Sequence, residues 1–522
     1  MQQSALREYN QIEYTAMTEL NWTELDSVTT IWVEAPGPLR AGLLFRTGRA
    51  DETLTTAGQT HLIEHLTLSS IHDPSQQHNG FVGEIITGFL VMGQPQEVSD
   101  FLAKVCDTIQ SLPGDRLESE KQVLAAESAT RRYDFRSNLL VWRYGAGGYG
   151  LTGMPEFGLQ VITLQQLRDY SVQRFTKENA ILWLSGPPPV GLHLRLPHGI
   201  KQPPPPLAPI QWTFPSWFVD DVCGGIAAGA TVPRVSASTI FCEIASKRLR
   251  ERLRMAKAVS YAPAVIYDHL DAETAHLILY ADSAREHRTE LVTLFGEVFE
   301  ELGKIDDLEV DRARQQVHEH WVGSLAPPLA DRLMVEAQRA AMDWLFGREL
   351  ESIESIATEM LSVTASDVSK FWRDAQSTTL FALPSGIRLQ PWMGRQIPPC
   401  KVPTVQGQKV ASLDAPIQQE HLVYGLDGVS VVWPNGSHFT VRYSQLAGAL
   451  HYEDGCRCLI GFDATTLMIE PTLWHNGQSV CRRIREQIPR DLLLRQQPRP
   501  TSAIPKPKTT AWQRFQARLT QR

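Results

Sequence analysis

Long apolar runs are missing from this 522-residue chain: Pro, Gly, Ser or a charge interrupts every stretch well before the ~18 apolar residues a membrane span requires. Cysteine is sparse. The seven thiols (Cys106, Cys223, Cys242, Cys400, Cys456, Cys458, Cys481) include no CxxC pair, which argues against a zinc ribbon or a disulfide frame and for free thiols. Neither charge dominates. With 50 basic and 58 acidic residues the net charge is −8, so nothing points to nucleic acid or to an anionic bilayer. The first twenty residues carry acids and lack an apolar signal core, and a cytoplasmic location is expected. What is present is a globular composition, 43% apolar and 21% charged, over a length that suggests three or four domains of about 150 residues.

The patterning predicts an α+β chain. Residues 1–185 form the first unit. Two β-rich runs within 28–50, split by Pro36-Gly37-Pro38, read as a hairpin or adjacent strands. Helical texture begins at Gly58, and a strand is expected over 80–92. Helices follow over 97–111, from Asp115 onward and over 164–175, then a buried strand at AILWLSG. The prolines of 186–211 read as a semi-rigid spacer. Residues 212–384 repeat the same rhythm, with a long basic helix over 236–261, a strand over 270–281 and helices over 287–303 and 307–322. A second linker spans 385–417. From 418 to 498, short strands around Asn435-Gly436 and a closing helix suggest a small β domain with a weak likeness to a pleckstrin-homology module. The end, 499–522, reads as a basic, Pro-rich tail.

One string carries chemistry: His61-Leu62-Ile63-Glu64-His65. On a helix, positions i and i+4 share a face, so two neutral imidazoles can hold one Zn²⁺. Glu64 then stands beside them, placed to deprotonate a metal-activated water. This is the order H-x-x-E-H. Chance would produce such a pentapeptide in a chain of this composition in about 5% of cases. A catalytic zinc needs a third protein ligand and an open position. Glu120 and Glu127 lie two helical turns apart on one face, and either could complete the set.

The stretch GRADETLTTAGQTHLIEHL resembles the metal-site helix of the insulinase/pitrilysin-type metallopeptidases, which include mitochondrial-processing-peptidase-like proteins. That family also carries an E-x(6)-E helix, matched here by Glu120 to Glu127. The resemblance implies two tandem α+β modules over about residues 25–384, each a mixed or antiparallel sheet with helices on one face. It implies His61, His65 and Glu127 as zinc ligands, Glu64 as general base and Glu120 as an accessory carboxylate. A second match lies in RLRERLRMAKAVSY, where Arg254 and Tyr261 would touch substrate or the tetrahedral intermediate; the family's glycine before the tyrosine is absent, with Lys257-Ala258 in its place. Phe81, Val82, Gly83 and Glu84 are expected on the substrate-edge strand, with Gly83-Glu84 replacing the family's Asn-Ala, and a peptide would add as a strand near 81–90. The implied activity is zinc-dependent hydrolysis of peptides or of a precursor peptide. The alternative is a catalytically impaired peptide-binding or partner-subunit protein. Family members enclose substrate between two such halves, so a homodimer or a pairing with a related subunit is expected.

Overall fold

The computed structural model describes residues 20–508 except 72–76, 131–134, 223, 322–326, 389, 398–401 and 415–418. Of the predicted tail, 509–522 lie outside the described residues. In the first module six runs rich in Val, Ile, Leu and aromatics form a mixed sheet. Its strands are β1 (Asn21–Leu25), β2 (Val28–Trp32), β3 (Leu39–Phe45), β4 (Gln77–Val82), β5 (Thr87–Gly93) and β6 (Ala180–Leu184), in the order β1-β2-β6-β3-β5-β4. The helices are α1 (Gln59–Ser69), α2 (Pro95–Gln110), α3 (Leu117–Thr130), α4 (Phe135–Tyr144) and α5 (Leu164–Arg174).

Two expectations are corrected here. β2 and β3 are not neighbours, because β6 lies between them, parallel to β2 and antiparallel to β3. All five β6 residues are buried, and such a strand is satisfied only with a ladder on both sides. The run 80–92 is two strands, since the chain turns at 83–86 and Gly83 N bonds back to Ile86 O at 2.8 Å.

The second module holds β7 (Ser216–Val219), β8 (Gly225–Pro233), α6 (Ser236–Leu249), β9 (Ala264–His269), β10 (Thr274–Asp282), α7 (Arg288–Glu301), α8 (Asp307–Trp321), α9 (Leu329–Phe346), α10 (Ile353–Ser362), α11 (Ala365–Ser377), β11 (Leu380–Leu383) and β12 (Arg395–Gln396). Its sheet runs β12-β7-β11-β8-β10-β9. The expected helix over 236–261 is shorter: α6 gives way to a π-type turn at Arg250–Met255, and Ala258 takes φ +51. The stretch 186–211 has no helix or strand, yet Leu192, Leu194 and Leu196 bury themselves against the first core.

Each sheet carries its own helices on one face and borrows a helix for the other. Leu62, Ile63 and Leu66 of α1 join Phe101 of α2 over Leu43 and Phe89 of the first sheet. On the opposite face, α9 of the second module lays Leu333, Ala337 and Ala341 against Ile31, Leu44 and Trp183. In return α4 of the first module crosses the second sheet, where Leu139 packs on Phe218 and Ile278, and the Phe135 ring stacks on Tyr280 with centroids 3.9 Å apart. Truncating a fully buried leucine such as Leu139 to alanine costs about 2–5 kcal/mol, so this exchange couples the modules firmly.

The C-terminal unit has two four-stranded sheets. One comprises β13 (Gln408–Ala411), β14 (His421–Tyr424), β15 (Gly428–Val432) and β16 (His438–Arg442). The other comprises β17 (Leu446–His451), β18 (Arg457–Gly461), β19 (Thr466–Ile469) and β20 (Leu493–Arg495). Helix α12 (Gly477–Glu486) closes their shared core through Val480 and Ile484. Two short strands, β12 and β13, fall within 385–417.

The α4 interface buries two basic groups. Arg143 donates to Gly229 O and Thr378 O, both at 2.8 Å. His276, 2% exposed on β10, has a buried Nε2 with no hydrogen-bond partner among the described residues. Burial, with Arg143 and Arg136 nearby, holds its pKa well below the ordinary 6.5. The fold therefore keeps His276 neutral while the unfolded chain protonates below about pH 6.5. The stability from this neutral burial is present above that pH and is lost as pH falls, by up to about 1.4 kcal/mol per unit. His276→Gln is expected to flatten the fall in denaturant midpoint between pH 6.5 and 5; a slope equal to the wild type's would contradict the assignment.

Candidate metal centre

Helix α1 starts where few residues other than glycine fit. Gly58 takes φ +101, and a Cβ there would approach Leu159 to 2.7 Å. Glu52, buried, accepts from Gly58 N at 2.9 Å and Thr60 N at 2.8 Å, satisfying donors that a helix start leaves open. Burial nonetheless pushes the Glu52 carboxyl up to about 7. With Leu62, Ile63 and Leu66 anchored in the core, the helical period turns His61, Glu64 and His65 toward α3 and β4.

Helix α3 brings Glu120 and Glu127 to the same place, with Leu124 fully buried between them. His65 Nε2 lies 3.6 Å from Glu127 Oε1, and His61 Nε2 lies 3.9 Å from Glu127 Oε2. One ligand atom from each of His61, His65 and Glu127 falls within 4.8 Å of the others. Tetrahedral ligands at about 2.1 Å from an ion stand about 3.4 Å apart, so seating one would draw the most separated pair together by up to about 1.4 Å. Two imidazoles and one carboxylate form the donor set of an open, catalytic type of centre, and these residues fit a divalent ion.

The outward nitrogens are occupied. His65 Nδ1 meets Glu120 Oε2 at 3.3 Å, and His61 Nδ1 meets Glu156 Oε1 at 3.0 Å. An Nδ1–H donated to a carboxylate leaves the Nε2 lone pair facing the ion position. Glu156 escapes sequence reasoning: it follows His61 by 95 positions, on a turn with no motif. Glu64 is 5% exposed, and burial pushes its carboxyl up to about 7, with Glu127 and Glu120 reinforcing the shift and His65 opposing it. Gly80 on β4 makes room for that carboxylate, because a Cβ there would run into Glu64 Oε1.

The end of β4 corrects part of the edge-strand reading. β4 is the terminal strand of the first sheet, and Phe81 and Val82 belong to it. Gly83 and Glu84 lie beyond it, in the turn, where their carbonyls accept from Arg49 N at 3.1 Å and Ala50 N at 2.7 Å. The structure does not join Arg254 and Tyr261 to the histidines by any hydrogen bond or ion pair among the described residues. Tyr261 is 77% exposed, its ring 5.2 Å from the Arg254 guanidinium. Ala258 takes the left-handed conformation three residues earlier, where the family resemblance misses a glycine.

No family model matches the chain, and no curated protein matches its sequence. Solved structures do share its fold. A chain of complex III2 from Candida albicans matches with TM-score 0.57 at 15% identity, over 70% of this chain and 96% of that one. A protease from Helicobacter pylori matches with TM-score 0.56 at 17% identity, over 70% of this chain and 100% of that one. The periplasmic protease PqqL from Escherichia coli matches with TM-score 0.57 at 13% identity, over 83% of this chain and 57% of that one. The chain thus has the two-module α+β fold found in pitrilysin/insulinase-type peptidases and in a chain of complex III2. Among the described residues no helix is long and apolar enough to cross a membrane.

Metal analysis of the purified chain should find one divalent ion per molecule, lost in both His61→Ala and Glu127→Ala. Equal metal content in all three proteins would refute the ligand set.

Proposed function

We propose that the chain is a zinc metallopeptidase acting on peptides or on a precursor peptide. The observation that carries this reading is the convergence of His61, His65 and Glu127 with the buried Glu64 carboxylate beside them. Zn²⁺, held by His61, His65 and Glu127, would supply the Lewis acidity that polarises a scissile carbonyl and acidifies water. The Glu64 carboxylate, buried beside the two imidazoles, would take a proton from the attacking water and return it to the leaving amine. Among the described residues the outer edge of the terminal strand β4, Gln77–Val82, pairs with no other strand, and an extended peptide would pair there beside Glu64. Tyr261 and Arg254 are the second module's candidates for contact with substrate.

The chain spans 57% of PqqL, in keeping with one half of an enclosing pair. A second copy or a related subunit would supply the other half. A reading without cleavage, in which the chain binds peptide or a partner subunit, draws support from Tyr261, which makes no hydrogen bond to the cluster among the described residues. Glu64→Gln separates the two. It should retain zinc while peptide-library cleavage falls by roughly 10²-fold or more, as loss of a general base demands. Gly80→Ala should also lower cleavage with zinc retained, by displacing the Glu64 carboxylate. Equal cleavage by wild type and Glu64→Gln would refute the enzyme reading.

A further inference from the structure

Glu156 sits on a stretch that has little conformational order of its own. Residues 145–155 contain Gly145, Gly147, Gly148, Gly150 and Gly153, and only a 3₁₀ segment, Gly148–Gly153, interrupts the irregular backbone. Ordering glycines costs more chain entropy than ordering other residues, so packing from outside must offset it.

That packing comes from two directions. From the first module, Arg49 donates to Met154 O at 2.9 Å. From the far side comes the C-terminal β domain. Leu54 and Leu151 share one buried cluster with Leu450, Ile460 and Leu494, and Met154 and Phe157, which flank Glu156, lie against it. Ala146 N donates to Phe462 O at 2.9 Å, and the Gln496 amide donates to Phe157 O at 3.1 Å.

We propose that Glu156 is a positioning residue for the metal ligand His61 and that the C-terminal β domain holds Glu156 in place. The inference rests on the metal-centre reading above and assigns the β domain a duty at that centre. A carboxylate that accepts from Nδ1 selects the tautomer with its lone pair on Nε2 and raises that nitrogen's basicity. Glu156 performs this for His61, as Glu120 does for His65 from the regular helix α3. Only the Glu156 carboxylate is carried by an irregular turn, so only its placement depends on a docked neighbour.

Zn²⁺ affinity of the full chain, measured by competition with a chromophoric chelator, tests both parts. Glu156→Ala should weaken zinc roughly 10–100-fold, and Glu156→Gln, whose side-chain oxygen still accepts, should recover most of the loss. Leu494→Ala should weaken zinc in the wild-type background and add nothing in the Glu156→Ala background, since both act through one carboxylate. Where Leu494→Ala disturbs the fold by circular dichroism, Gln496→Ala repeats the comparison by deleting the bond to Phe157 O together with the local bonds to Leu494 O and Arg495 O. Wild-type affinity in Glu156→Ala overturns the positioning role. Equal weakening by Leu494→Ala or Gln496→Ala in both backgrounds overturns the role of the β domain. A wild-type chain without zinc affinity overturns the metal-centre reading itself, an outcome distinct from the other two.

Discussion

The paired hydrogen bonds from histidine Nδ1 to buried carboxylates are the constraint on which the centre depends. His61 leans on Glu156 and His65 on Glu120, and each bond turns an Nε2 lone pair toward the same point as Glu127. The arrangement has an electrostatic cost. Glu64, Glu120, Glu127 and Glu156 crowd two imidazoles, and like charges about 4 Å apart repel by about 4 kcal/mol near a protein surface. The upward shift of Glu64 is one sign of that crowding, though burial is its larger cause. A divalent cation would relieve the repulsion at a single point. Among the described residues Arg49 and Arg116 approach Glu156 and Glu120.

Such a site needs a rigid frame, because a shift of a few tenths of an ångström separates a coordinating atom from a bystander. The frame is the exchange of α4 and α9 between the modules. With both faces of each sheet covered, α1 rests on a sheet that cannot flex without disturbing the second module. The fully buried Ala337, Ala340 and Ala341 allow α9 a close approach that larger side chains would prevent. Arg143 joins two carbonyls of the second module, Gly229 O on β8 and Thr378 O just before β11, a pairing lost if α4 slides along its axis.

What could be read from the sequence was local. His61, Glu64 and His65 are legible because ligand spacing on one helix face is set within five residues, and the seven-residue separation of Glu120 and Glu127 works in the same way. The family resemblance chose Glu127, and the geometry places that carboxylate with the imidazoles. The edge strand was legible only in part. Residues 80–92 read as one apolar stretch, which hid the turn at 83–86 and placed Gly83 and Glu84 on a strand that ends at Val82. The position of β6 between β2 and β3 depends on a pairing across about 140 residues, which no local pattern encodes. The partners of α4 and α9 are equally distant. Glu156 belongs to this class as well: a lone acid on a glycine-rich turn has no sequence signature, and its meaning comes only from the imidazole beside it.

The last of these has a consequence for the architecture. A metal site assembled wholly from regular elements, as His65 and Glu120 are, can be held by one module's own core. A site that takes one of its two Nδ1-accepting carboxylates from an irregular turn cannot, and something must pack against that turn. In this chain the packing surface is β17, β18 and β20 of the C-terminal domain, through Leu450, Ile460 and Leu494. The β domain lies outside the stretch that resembles the peptidase modules, yet it docks on the turn beside a candidate ligand. Its position is therefore better explained as part of the centre's scaffold than as an appendage reached through a linker.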